Sequence, residues 1–92
     1  MIEVTAGRRH LTLRGHAGYA PAGEDIVCAA ASALVYALAE TLRETGRLAG
    51  AELRKGYAEI EGRGECDREF ELVCRGLRML AETYPACVRI GS

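Results

Sequence analysis

Apolar and polar residues alternate through the first fifteen positions. Ile2 and Val4 oppose Glu3 and Thr5, and Leu11 and Leu13 oppose Thr12 and Arg14. A period of two sends alternate side chains to opposite faces of a strand. Met1 to Ala6 and His10 to Gly15 therefore read as half-buried strands, joined through Gly7-Arg8-Arg9 as a hairpin. The stretch from Ala17 to Glu24, with Gly18, Pro21 and Gly23, is punctuated too often for regular structure. After Asp25, a good N-cap, a helix runs to about Glu44, and Gly46 stops it. Its first turns are apolar nearly all round, from Ile26 and Val27 to Leu38 and Ala39. A helix without a polar face is expected to be enclosed by the fold or by a partner.

Alternation returns in Ala49 to Arg54 and Tyr57 to Glu61, with Lys55-Gly56 as the tight turn between them. Leu53, Ala58 and Ile60 form their apolar side. A loop, Gly62 to Cys66, leads to a second helix that Asp67 would cap and that would reach Tyr84 and stop at Pro85. Phe70, Val73, Cys74, Leu77, Leu80, Ala81 and Tyr84 recur at three- and four-residue steps, one apolar stripe opposite Arg68, Glu71, Arg75, Arg78 and Glu82. Cys87 to Ile90 reads as a last strand. The predicted fold is α+β, in the order ββαββαβ. It is a single sheet of about five strands with two helices packed on one face.

Ninety-two residues make one domain, 1–92, and a chain this short gains from oligomerisation. The net charge is −1 and no basic patch forms, so direct nucleic-acid binding is not expected. No secretory signal is visible, and Ile26 to Ala39 falls short of the roughly 20 residues that a bilayer needs. The expectation is a cytoplasmic protein away from membranes. The four cysteines, Cys28, Cys66, Cys74 and Cys87, include no CxxC and no zinc-finger spacing, so neither a metal nor another cofactor is expected.

The chemistry concentrates between Gly15 and Leu34. With Asp25 as N-cap, Cys28 lies in the first helical turn. There the partial positive charge of the helix start favours an anion by roughly 0.3–1 kcal/mol. An imidazolium close by would lower the thiol pKa further, and His16 ends the second strand just before the loop. Asp25, Cys28 and Ser32 follow the spacing that stacks side chains on one helix face. A cysteine in an alanine-rich helix reads equally well as a small core residue. Cys74 reads as core, Cys66 and Cys87 lie near element ends without a base, and His10 beside its turn reads as solvated. The tyrosines Tyr19, Tyr36, Tyr57 and Tyr84 are scattered and suggest no stacking platform.

At these residues the chain resembles the family of bacterial ribosomal-processing cysteine proteases, Prp, once grouped as YsxB-like. The resemblance rests on Gly15-His16-Ala17, eleven residues between His16 and Cys28, then Asp25-Ile26-Val27-Cys28-Ala29-Ala30 and Ser32-Ala33. Gly23 and the late Tyr84-Pro85 before a short strand also fit. It implies a cysteine endopeptidase that removes the N-terminal extension of ribosomal large-subunit protein twenty-seven, cutting after aromatic residues, and that forms a homodimer. By this resemblance Cys28 is the nucleophile and His16 the general base and acid. Gly15, Asp25 and Ser32 are supporting residues, and Ala17, Gly18, Tyr19, Pro21 and Gly23 belong to a substrate-gating loop. Backbone N–H groups at the helix start, that of Cys28 among them, are expected to hold the oxyanion. The rival expectation is a non-catalytic ribosome-associated binding module with Cys28 in its core. A redox-sensing thiol is a weaker third reading, because no resolving cysteine lies close in sequence.

Overall fold

A computed structural model describes residues 1–91. The elements follow the order ββαββαβ: β1 (Ile2–Gly7), β2 (His10–Arg14), α1 (Ile26–Glu44), β3 (Leu48–Arg54), β4 (Tyr57–Gly62), α2 (Asp67–Thr83) and β5 (Val88–Gly91). The strands form one mixed sheet in the order β3-β4-β2-β1-β5. Only β5 runs parallel to its neighbour, β1.

The alternation in β1 and β2 becomes burial on one face. Ile2, Val4, Leu11 and Leu13 are buried, as are Ile60 of β4 and Val88 of β5. Against them pack Val27, Ala31, Val35, Leu38 and Leu42 of α1, and Phe70, Val73 and Leu77 of α2. Both helices thus lie on one face of the sheet. Arg8-Arg9 alone closes the first hairpin, with Gly7 paired to His10. Arg9 takes the left-handed backbone conformation there (φ 61°) and donates from Nη1 to the Gly64 carbonyl at 3.1 Å.

Three expectations need correction. α1 is long and apolar enough to cross a bilayer by length and composition, but the fold encloses only its inner stripe. Ile26, Ala29, Ala33, Tyr36 and Ala37 are exposed, because one sheet and one layer of helices leave nothing to cover the outer side. Asp67 does not cap α2. Cys66 is the N-cap, without a side-chain bond to the helix, and the Asp67 carboxylate accepts from Arg8 at 3.3 Å instead. Asp67 and Glu69 still place negative charge in the first turn, where the helix dipole favours it. His10 is half-buried within β2, its Nε2 3.0 Å from Glu59 Oε2 on the open face of the sheet.

The cysteines sort differently from expectation as well. Cys66 is buried at 1% exposure, and burial pushes its thiol pKa up. Cys74, expected in the core, is half-buried at its edge, with its pKa also raised by burial.

Leu77 is fully buried between α2 and the sheet, so Leu77→Ala leaves a cavity. The substitution is expected to lower unfolding stability by about 2–5 kcal/mol, read by urea denaturation. A loss under about 1 kcal/mol would contradict this packing.

Candidate functional site

The site is built where β2 ends and α1 begins. Gly15 bends the chain out of β2 with φ +95°, and a Cβ there would clash with the Met1 carbonyl oxygen. Its N–H donates to the Gly56 carbonyl at 2.9 Å, tying the end of β2 to the β3–β4 turn. His16 follows, exposed at the rim of a cleft of about 630 Å³. Cys28, Asp25 and Ser32 line the same cleft, so the predicted stacking on one face of α1 opens into it.

Cys28 is half-buried in the first turn of α1. Its Sγ accepts a hydrogen bond from the Ala17 backbone N–H at 3.2 Å. That bond ties the sulfur to the start of the loop. Ala17 is itself buried, so that donor is held in place.

Asp25 organises the rest. Its Oδ1 accepts from the N–H groups of Val27 at 3.0 Å and Cys28 at 2.9 Å, which caps α1. Its Oδ2 accepts from Tyr19 at 3.0 Å and Ala20 at 3.4 Å, which draws the loop onto the helix start. These bonds, that from Cys28 foremost, hold its carboxyl below the ordinary value of 3.8. Because the Cys28 N–H is engaged by Asp25, the expectation that it holds an oxyanion is not met.

The loop expected to gate substrate is therefore anchored at several points. Ala17 bonds Cys28, Tyr19 bonds Asp25, and Pro21 accepts from Glu24 N–H at 2.9 Å. The Tyr19 ring meets Tyr84 edge-on with centroids 5.5 Å apart, a contact across the chain that scattered positions did not suggest. Gly18 and Gly23 take left-handed backbone at its bends.

Sequence reasoning missed the opposite wall. Leu53, Lys55, Gly56 and Ala58 of the β3–β4 hairpin line the cleft together with Ala31, Val35 and Tyr36 of α1. On the other face of the hairpin, Arg54 lies over the Tyr57 ring at 4.5 Å. The one hint in the sequence was Leu53, a large apolar residue on an edge strand, 37% exposed. Among the described residues no group of three or more His, Cys, Asp or Glu could hold a metal ion.

The two halves of the Asp25 carboxylate can be separated. Asp25→Asn keeps an oxygen for the helix cap but turns an amide NH₂ towards Tyr19 and Ala20. Hydrogen exchange of the Tyr19 and Ala20 amides is expected to quicken while Val27 and Cys28 stay protected. Unchanged Tyr19 and Ala20 exchange would refute the tether. The lowered carboxyl also makes one pH-dependent contribution to stability. Its stabilisation is complete above pH 3.8 and is lost as pH falls through the folded-state value.

Comparison with known proteins agrees with this architecture. Nothing among curated proteins matches the chain. An essential ribosomal processing protease, Prp, from S. aureus, solved with a covalently linked product peptide, superposes with a TM-score of 0.83 at 20% identity, covering 98% of this chain and 95% of that one. The same enzyme with a substrate peptide gives a TM-score of 0.76 at 19% identity, covering 98% and 95%. The protein SMU.848 from Streptococcus mutans is 30% identical, with a TM-score of 0.75 over 98% of this chain and 91% of its own. The family model for cysteine protease Prp matches residues 1–89. The chain belongs to the Prp family of cysteine proteases.

Proposed function

We propose that this protease is an endopeptidase in which Cys28 is the nucleophile and His16 the general base and acid. The observation that carries the proposal is the Ala17 N–H bond to Cys28 Sγ, inside a cleft that His16 also lines. Cys28 is half-buried and reaches the open cleft, which favours a working thiol over a core residue.

The chemistry balances with these two side chains. The Cys28 thiolate attacks the scissile carbonyl, and the carbonyl electron pair moves to oxygen. As the tetrahedral intermediate collapses, the imidazolium of His16 gives its proton to the leaving amine. A thioester to Cys28 remains. Water then attacks it, His16 takes up a proton, and the acid product leaves with the thiolate restored. Ala17 N–H holds the sulfur in place at the start and end of the cycle.

For substrate, we infer the N-terminal extension of ribosomal large-subunit protein twenty-seven, cut after an aromatic residue. The apolar walls at Val35, Tyr36 and Leu53 suit such a segment. The S. aureus enzyme of the same fold, described as a ribosomal processing protease, binds a substrate peptide. Reduced thiols suit work in the cytoplasm.

We infer a homodimer through the outer face of the helices. Leu72 and Met79 are 71% and 66% exposed and stand two turns apart on α2. Between and beside them runs a groove of small residues, Ala30, Ala33, Ala37 and Gly76, of about 470 Å³. Projections and a recess on one face meet the condition for a two-fold contact, in which Leu72 of each copy meets Met79 of the other.

Cys28→Ala and His16→Ala are each expected to lower cleavage of an extension peptide at least about a thousandfold, with the circular dichroism spectrum unchanged. Parental activity in Cys28→Ala would refute the proposal. Leu72→Asp with Met79→Asp is expected to halve the sedimenting mass. A parent that is monomeric at high micromolar concentration would refute the dimer.

A further inference from the structure

Gly56 lies in the β3–β4 turn, far in sequence from the residues of the motif. It has φ +75°, and a Cβ built on it would lie 2.9 Å from His16 Nε2 and 3.3 Å from Cε1. Ordinary contact begins near 3.4 Å, so a side chain here would push the ring by about 0.5 Å. The carbonyl of the same residue accepts the Gly15 N–H at 2.9 Å. The backbone leading into His16 and the ring at its end therefore both rest on Gly56.

The turn alone does not demand glycine. A left-handed residue in a two-residue hairpin can be Asn as well as Gly. The difference lies in what surrounds the missing Cβ. Gly46 and Gly23 have similar backbone, φ +72° and +88°, and nothing within 4 Å of the same position. At Gly56 the space is filled by the imidazole.

The geometry points to Gly56 as a positioning residue, whose lack of a side chain forms the seat of the His16 ring. This rests on the proposed partnership of His16 and Cys28. It gives the β3–β4 turn a part in the reaction: it fixes where the base stands relative to the sulfur. A displaced base loses rate without a loss of fold, since a shift of about 1 Å in a reacting group can cost roughly a hundredfold.

The test compares Gly56→Asn and Gly56→Ala with Gly46→Asn, which carries a similar backbone demand in open space. Melting temperature, peptide cleavage and the pH profile of iodoacetamide alkylation at Cys28, read by peptide mapping, are measured on each. Gly56→Asn is expected to fold like Gly46→Asn, since Asn accepts the turn. Its kcat should fall at least about tenfold, and its Cys28 alkylation profile should move towards that of His16→Ala. Gly46→Asn should keep the parental kcat and profile. A Gly56→Asn protein with parental kcat and profile would overturn the seat while leaving the Cys28–His16 pair intact. If alkylation of Cys28 in the parent chain is indifferent to His16→Ala, the pair itself fails and the positioning role falls with it.

Discussion

The carboxylate of Asp25 is the interaction on which the site depends. One oxygen closes the N-terminus of α1 and the other gathers the backbone of the loop before it. A short acidic side chain suits both tasks, because an ionised carboxylate accepts at several lone pairs at once. The consequence reaches Cys28 from two sides. Its helical turn is fixed by the cap, and the loop that Asp25 restrains begins with the Ala17 N–H that points at its sulfur. Thiol placement, loop conformation and helix start are one assembly, which is why so few polar groups suffice in an otherwise apolar region.

The layer architecture explains the two surfaces that remain open. Both helices cover one face of a five-stranded sheet, and β3 at its edge is largely exposed. The gap between α1 and the β3–β4 hairpin becomes the cleft, walled by side chains that a larger fold would have buried. On the far side, the outer stripe of α1 and the exposed Leu72 and Met79 of α2 have no third layer above them. These two uncovered apolar areas are the surfaces on which the proposed substrate and the proposed dimer rest.

What was legible in the sequence was local. Alternation in β1 and β2 and the Asp25 cap depend on residues a few positions apart, and the fold renders them as read. The cap of α2 was misread because Cys66 and Asp67 are adjacent and only Arg8, distant in sequence, draws the carboxylate outward. The fold encloses only one stripe of α1, because an all-apolar pattern records hydrophobicity, not the number of layers available. The Asp25 cap and an oxyanion role compete for the Cys28 N–H, and the cap takes it. Gly56 read as an ordinary turn residue, since its contact with His16 is set by the pairing of β2 with β4. The motif itself was readable because His16, Asp25 and Cys28 fall within one short segment. Its supports were not, because they come from the other half of the chain.

The central claim is covalent catalysis at Cys28, and intact-mass spectrometry during turnover of an extension peptide tests it most directly. Rapid acid quench should trap a transient species heavier than the free protein by the N-terminal product fragment, linked as a thioester that maps to Cys28 and disappears as substrate is exhausted. Cleavage that proceeds with no adduct, or with an adduct on Cys66, Cys74 or Cys87, would contradict it.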